Sequence, residues 1–238
     1  MKVRILAVDT SASVAAAAVM DSGTILGEYL VNNKKTHSQK LMPMIKELMD
    51  SLELCPQDID LYAASIGPGS FTGLRIGVTT IKAMAFSLGK PVASVPTLDA
   101  IAYNIPMNEA VICPIMDARN LQVYTSLYCW EKGGQKRIAD YMGISVYQLI
   151  DIIKQKKQKV IFAGDGVQNH RELLQSELDG ICSFAPGSLL LQRASAVAQI
   201  AFEKSGGTDK EDGFSMLPFY LRKSQAEREL EKNHILKL

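Results

Sequence analysis

Apolar and polar residues alternate in short runs at the start of the chain, broken by turn residues. "KVRILAVDT" is apolar and β-branched, and "SVAAAAVM" follows after a small turn. Asp21-Ser22-Gly23 then reads as a hairpin turn into "TILGEYLVN". Three strands in succession before any helix exclude a Rossmann order, which alternates strand and helix from the outset. The period next changes to that of a helix in "QKLMPMIKELMDSLEL", beginning near Ser38. Thr36 or Ser38 is the expected N-cap, with Pro43 in the first turn or so, where a missing N–H is tolerated. A strand "DLYAASIG", a glycine loop, a helix "GLRIGVTTIKAMAFSLG", a strand "PVASV" and a short helix "TLDAIAYN" follow. Gly89 is a natural helix stop, with Pro91 just beyond.

The second half repeats that order. "AVICPIMDAR", "LQVYTSLYCWE" and "KRIADYMGI" read as three strands, with Gly133-Gly134 as a turn. "SVYQLIDIIKQKK" reads as a helix, "KVIFAGDG" as a strand ending in a glycine turn, and "NHRELLQSEL" as a helix. "ICSFAP" reads as a strand, and "LLLQRASAVAQIAFEKSGG" as one long helix closed by Gly206-Gly207. The pattern predicts an α/β protein of two βββαβαβα units, 1–106 and 107–238, joined near Ile105–Asn108. The repeat is one of pattern, since the residues themselves are not visibly repeated. The charged tail from Arg222 to Leu238 reads as a solvated or frayed helix.

Two helices are more apolar than one buried seam requires. Leu41, Ile45, Leu48 and Leu52 share a face, flanked by Met42 and Met49 on one side and Met44 on the other, a stripe about 160° wide. In the helix after the glycine loop, Leu74, Val78, Ile81, Ala85 and Leu88 cluster, yet Ile76, Ala83, Met84 and Phe86 fall around the other sides. Arg75 and Lys82 form a polar seam with Thr79. Pattern alone leaves open a partner surface or a thick internal core.

Composition narrows the function classes. The 238 residues are 47% hydrophobic and 21% charged, too apolar for disorder. Net charge is +1 from 26 basic and 25 acidic residues, so no global field steers the chain to nucleic acid or to an anionic membrane. Direct nucleic-acid binding is therefore the weakest reading. Cys55, Cys113, Cys129 and Cys182 form no C-x-x-C pair and read as buried, reduced thiols, which fits a cytoplasmic protein. "MKVRILAVDTS" lacks the long apolar region of a signal peptide, and no run reaches the roughly 18 apolar residues of a membrane span.

Four segments could carry chemistry. Gly67-Pro68-Gly69-Ser70-Phe71-Thr72-Gly73 follows a strand and opens a helix, a place that favours an anion. Its G-x-G-x-x-x-G spacing is neither the dinucleotide fingerprint nor a P-loop, and Phe71 crowds the position a phosphate would take. Asp9-Thr10-Ser11 ends the first strand and could hold a metal-bound water or phosphates, or simply make a turn. Asp117-Ala118-Arg119 stands at the same place in the second unit, and Gly164-Asp165-Gly166 forms a further strand-end turn. His37, His170 and His234 have no second ligand at metal spacing, and "KQKKQK" at Lys154–Lys159 reads as a solvated helix end.

At "ILAVDTS", "GPGSFTGLRIGVTTIKAMAFSLGKPVASVPTLDAIA" and "PIMDARNLQVY" the chain closely resembles the TsaB (YeaZ) family, with "LPFYLRKSQAER" as a softer match. The resemblance implies an ASKHA (actin-like ATPase, ribonuclease H-like) fold of two duplicated βββαβαβα units. It implies a non-catalytic partner of TsaD, joined by the ATPase TsaE. That machinery carries a threonylcarbamoyl group to N6 of the adenosine beside the anticodon, in tRNAs reading codons that begin with adenine. It implies that two helices of the first unit pack against TsaD, and against a second copy in a homodimer when the protein is alone. Contact with tRNA then comes only through the complex, with no membrane and no cofactor.

Carried onto this sequence, the implied partner interface is Leu41, Met42, Met44, Ile45, Leu48, Met49, Leu52, Phe71, Leu74, Arg75, Val78, Thr79 and Lys82. TsaD holds a metal through an H-x-x-x-H segment; here "Thr97-Leu98-Asp99-Ala100-Ile101" replaces both histidines, so no metal and no catalytic residue is expected. Asp9, Thr10, Ser11, Gly164, Asp165 and Gly166 sit where related enzymes hold nucleotide phosphates, and are expected to form a degenerate pocket. The alternative is a stand-alone nucleotide-binding ATPase or kinase using Asp9.

Overall fold

The first three apolar runs form strands β1 (Arg4–Asp9), β2 (Val14–Asp21) and β3 (Thr24–Asn32) in the computed structural model, which describes residues 2–33, 36–107, 109–205 and 215–222. Ser22 and Gly23 take φ of 52° and 86° in the tight β2–β3 turn, the left-handed conformation such a hairpin requires. Helix α1 (His37–Ser51), strand β4 (Leu61–Gly67), helix α2 (Phe71–Leu88), strand β5 (Val92–Pro96) and helix α3 (Thr97–Tyr103) follow. The sheet order is β3-β2-β1-β4-β5, with β4 parallel to β1 and β5. Thr36 is the N-cap residue of α1, but its side chain makes no capping bond. Pro43 lies well inside α1 rather than in its first turn. It faces solvent, where water can satisfy the carbonyl it leaves unpaired.

The second unit comprises β6 (Val111–Asp117), β7 (Gln122–Thr125), β8 (Tyr128–Glu131), β9 (Gly134–Arg137), β10 (Met142–Ser145), α4 (Val146–Lys156), β11 (Val160–Ala163), α5 (Gly166–Glu177), β12 (Cys182–Phe184), α6 (Gly187–Leu190) and α7 (Ala194–Ser205). Two of its expected strands are broken. β7 and β8 both pair with β6, at Thr125↔Ile115 and Tyr128↔Ile112, but are interrupted at Ser126-Leu127. There the Ser126 hydroxyl donates to Ala139 O at 2.8 Å, and Ile138 N–H donates to Leu127 O at 2.7 Å. The third expected strand divides into β9 and β10. Joined across these breaks, the order is that of the first sheet. Helix α5 begins at Gly166 rather than Asn169, with Asp165 at the N-cap position but making no side-chain capping bond.

The long helix expected near the end is also two helices. Its second part, α7, leaves the second unit and packs on β1 and β2 of the first sheet. The turn between α6 and α7 is fixed by Glu28 of β3, which pairs with Arg193 and accepts bonds from the Ser195 N–H and hydroxyl, both at 2.9 Å. The first sheet is thus covered on both faces. Leu6, Val8, Ala17 and Val19 meet Leu41, Ile45, Leu48 and Ile81 of α1 and α2. Ile5, Ala7 and Met20 meet Val197 and Ala201 of α7. In the opposite sense, Leu98, Ile101 and Ala102 of α3 enter the core of the second unit.

Cys113 is buried and Cys129 and Cys182 are half-buried, but Cys55 is exposed in the loop after α1, correcting the expectation of four buried thiols. No helix among the described residues is long and apolar enough to cross a membrane. The charged tail beyond Arg222, His234 and the Gly206-Gly207 stop lie outside the described residues.

Candidate functional site

The glycine loop is shaped by its approach to β1. Ideal side chains added at Gly69, Gly73 and Gly77 would place Cβ 2.3 Å from Ser11 O, 2.1 Å from Thr10 O and 2.4 Å from Thr10 Oγ1. Only glycine lets α2 lie this close to the strand end. The contact is hydrogen-bonded: Ser70 N–H donates to Ser11 O at 2.6 Å, and Thr10 Oγ1 donates to Gly73 O at 2.7 Å. Ser70 caps α2, accepting from Gly73 N–H at 3.3 Å.

Asp9, Thr10 and Ser11 are all buried. Asp9 Oδ1 accepts from the Ser11 N–H at 2.8 Å and the Ser11 hydroxyl at 2.6 Å, while Oδ2 has no partner among the described residues. Burial raises the Asp9 pKa above the ordinary carboxylate value, opposed by the Ser11 bonds. In the second unit Gly164, at φ 98°, and Gly166 allow a similar close approach, to Ile115 O. Asp117 accepts from Arg119 N–H at 2.9 Å and from the Asn169 amide at 3.0 Å. Asp165 is half-buried with a sealed Oδ1 that has no partner among the described residues, and its pKa is pushed up to about 6, chiefly by burial and then by the charge of Asp117. Burial lowers the pKa of His170, with Asp117 opposing.

A cleft of about 660 Å³ opens between the units. Of the six residues expected to grip a nucleotide, Ser11 and Asp165 line it; Asp9, Thr10, Gly164 and Gly166 stand behind its wall. Asp117, Arg119 and Tyr124 of the second unit line it as well. Part of the mouth belongs to a segment that sequence reasoning did not place, the strap Met216–Arg222. Phe219 N–H donates to Ile66 O at 2.7 Å. A Cβ at Gly67, whose φ is 124°, would lie 2.3 Å from Phe219 O. The Phe219 ring meets Tyr141 of the second unit, with centroids 5.4 Å apart. The available signal was the apolar run "LPFYL" just ahead of a charged tail.

The strap also crosses α2. Met216 is buried in the first-unit core, and Lys82 Nζ donates to its carbonyl at 2.9 Å. Tyr220 stacks on Phe71, and the Arg75 guanidinium lies 4.0 Å above the Phe71 ring. Between α2 and the strap runs a second concavity of about 680 Å³.

The residues expected at a partner interface divide. Leu41, Met44, Ile45, Leu48, Met49, Leu74 and Val78 are buried within this chain, because the widest apolar stripe of each helix faces its own sheet. That corrects their reading as presented side chains, although Val78 forms part of the α2 groove. Leu52, Phe71 and Lys82 are half-buried. Met42, Arg75 and Thr79 are exposed. Sequence reasoning set aside Phe86 and Leu217, which are 69% and 66% exposed.

The segment aligned with the metal-binding histidines joins the two units instead. Thr97 and Ser65 hydroxyls bond at 2.7 Å, and Ile101 is fully buried. Asp99 Oδ1 accepts from the hydroxyls of Tyr128 at 2.6 Å and Tyr141 at 2.8 Å. A bonded hydroxyl and an isoleucine do not make a metal donor set.

Residues 24–230 match the family described as TsaD: tRNA N6-adenosine threonylcarbamoyltransferase. The Bacillus subtilis protein named tRNA threonylcarbamoyladenosine biosynthesis protein TsaB is 32% identical over 223 residues, covering 94% of this chain and 96% of its own. The Escherichia coli protein of the same name is 29% identical over 55% of this chain and 57% of its own. A Pseudomonas aeruginosa structure described as similar to peptidase YEAZ superposes with TM-score 0.79 at 25% identity, covering 92% of this chain and all (100%) of that one. Component A of the Acidaminococcus fermentans (R)-2-hydroxyglutaryl-CoA dehydratase superposes with TM-score 0.52 at 11% identity, covering 86% and 100%, a likeness of fold alone. With the duplicated sheet order, these likenesses make the fold that of the ASKHA group.

Proposed function

The chain belongs to the TsaB (YeaZ) family, within the wider family described as TsaD, and from that premise we propose that it serves tRNA threonylcarbamoyladenosine biosynthesis as a subunit that does no chemistry of its own. It docks a TsaD-type protein, with a TsaE-type ATPase joining them, through the outer side of α1 and α2. Alone, it pairs with a second copy through the same side. It reaches tRNA only through the assembly, in keeping with its near-neutral charge.

The observation that carries this reading is the closure of the β1 end. Thr10 Oγ1 donates to Gly73 O at 2.7 Å and Ser11 O accepts from Ser70 N–H, while the Ser11 N–H and hydroxyl are held by Asp9. A phosphate bound at Thr10 would have to displace the start of α2. The outer helix side, by contrast, leaves Met42 48% and Phe86 69% exposed.

The test is complex formation with the TsaD-type protein from the same source. Met42→Glu is the informative variant, because its side chain is exposed and the fold should tolerate it. Wild type should co-purify with the partner and Met42→Glu should not. A folded Met42→Glu that binds normally, or a wild type that fails to bind, would overturn the proposal. Asp165 lines the cleft, and its Oδ1, which has no partner among the described residues, favours one second reading, residual nucleotide binding. Calorimetry with ATP and magnesium that shows no heat, or a heat unchanged in Asp165→Asn, disposes of it.

A further inference from the structure

We infer that the Met216–Arg222 strap is a clasp. It is anchored in the first unit, grips the second across the mouth of the cleft, and so fixes the angle between the units and the width of the cleft. This stands apart from the docking role proposed above and from any ligand of the cleft.

The chain gives the units an axis to turn on. It passes into the second unit through α3 and returns to the first through α7. These two helices touch each other, and the Tyr103 hydroxyl of α3 donates to Glu203 of α7. Two adjacent crossings act as a hinge, and rotation about them is the soft motion of such a pair of units. No residue of α3 or α7 lines the cleft of about 660 Å³, which therefore opens to one side of the hinge. A bridge at its mouth has leverage over that rotation. Phe219, Tyr220, Leu221 and Arg222 line the cleft at that place.

The two sides of the clasp hold differently. Anchorage to the first unit is deep and uses backbone. Met216 is fully buried in the first-unit core, and its carbonyl accepts from Lys82 Nζ at 2.9 Å. Phe219 N–H donates to Ile66 O at 2.7 Å. A Cβ on Gly67 would lie 2.3 Å from Phe219 O, so glycine at the end of β4 lets strap and strand lie backbone to backbone. The grip on the second unit is made by side chains. The Phe219 ring meets Tyr141 with centroids 5.4 Å apart, and the stem of Arg222 passes 3.4 Å from where a Cβ on Gly143 would stand. Phe219, Tyr141 and Arg222 are half-buried and Gly143 is exposed. Tyr141 is braced to receive the ring, since its hydroxyl donates to Asp99 at 2.8 Å and the Arg137 guanidinium lies 4.1 Å above it. Phe219 thus holds one unit by its backbone and the other by its ring. Partly exposed side-chain contacts open before buried anchors do, so the strap stays with the first unit and the clasp parts at Phe219–Tyr141.

Pulsed electron spin resonance on the full-length chain tests this. Nitroxides go on Thr72→Cys and Gln168→Cys, exposed positions near the starts of α2 and α5, in a background of Cys55→Ser, Cys129→Ala and Cys182→Ala. This parent should give one narrow distance. Phe219→Ala should add a population at longer distance, and Phe219→Tyr, which keeps the ring, should not. Leu217→Ala changes a strap side chain that is 66% exposed and lines the other concavity, and should leave the distance unchanged. Retained amide protection in β1 and β4 shows that each variant is folded. If Phe219→Ala does not fold, Arg222→Ala reads the same grip and should lengthen the mean distance. A broad distribution in the parent would mean that the strap fixes no angle and would overturn the inference. So would an unchanged distance in folded Phe219→Ala or, where that variant does not fold, in Arg222→Ala. A lengthening as large in Leu217→Ala as in Phe219→Ala would overturn it too, because the grip on Tyr141 would then not be the cause. A shift to shorter distance would make the strap a prop that holds the units apart, which also overturns it.

Discussion

The rings of Phe71 and Tyr220 stack with centroids 4.5 Å apart and planes 23° from parallel, joining the first residue of α2 to the strap that returns across it. Beyond its buried area, such a pair contributes on the order of 1 kcal/mol. Tyr220→Ala should therefore loosen the strap and leave the rest of the fold intact, because Met216 still anchors the strap in the core. Hydrogen exchange is the check: Phe219 N–H, bonded to Ile66 O at 2.7 Å, should lose protection while the amides of β1 and β4 keep theirs.

Gly73→Ala should be severe. The new Cβ would lie 2.1 Å from Thr10 O, a backbone atom that cannot step aside without moving β1 or α2. A loss of about 2 kcal/mol or more is expected in urea unfolding. Gly133→Ala is the control, since nothing lies within 4 Å of its Cβ and its φ is not positive. That change should fall within about 0.5 kcal/mol of wild type.

Asp165 should make the protein less stable as pH rises through weakly acidic values. Its folded pKa of about 6 exceeds the ordinary 3.8, so the native state binds the proton more tightly than the unfolded chain. Its contribution is most favourable below about pH 4, declines up to about pH 6 and is level above that. Asp165→Asn should flatten this slope and raise Tm at neutral pH. Thermal unfolding between pH 4 and 7 checks it, and a variant whose profile parallels wild type would refute the assignment.

Asp99 should couple the two units. Its Oδ1 collects the hydroxyls of Tyr128 and Tyr141, so Asp99→Ala strands two donors, one of them on a fully buried side chain. A loss of about 2–3 kcal/mol is expected. A double-mutant cycle with Tyr141→Phe should show a coupling of at least about 0.5 kcal/mol, as residues in direct contact do.

The order of elements was legible in the chain because strand and helix periods differ and Gly89 and Ser22-Gly23 mark their ends. The breaks at Ser126 and Leu191 were not, since each depends on a distant partner: the Ala139 carbonyl for one, and Glu28 with the first sheet for the other. The candidate site was legible by type more than by role. Gly69 and Gly73 marked a close approach, but a pattern cannot say whether a phosphate or Thr10 and Ser11 come close. The wide stripes of α1 and α2 were real. Their inward share, from Leu41 to Val78, was set by a sheet whose distance from the helices no single-sequence wheel contains. Phe86 fell outside the buried cluster of the helix wheel, but the wheel could not say whether solvent or another element meets it.

The passage of α7 back to the first sheet has a consequence for how the protein is made. Val3, Ile5, Ala7 and Met20 emerge from the ribosome early, yet their apolar cover, Val197 to Ala201, is translated near the end. Until then the nascent first unit carries a bare hydrophobic face, the kind of surface chaperones hold. The duplicated sheet order suggests two independent modules, but the crossing of α7 in one direction and α3 in the other makes synthesis of the second half the event that completes the first.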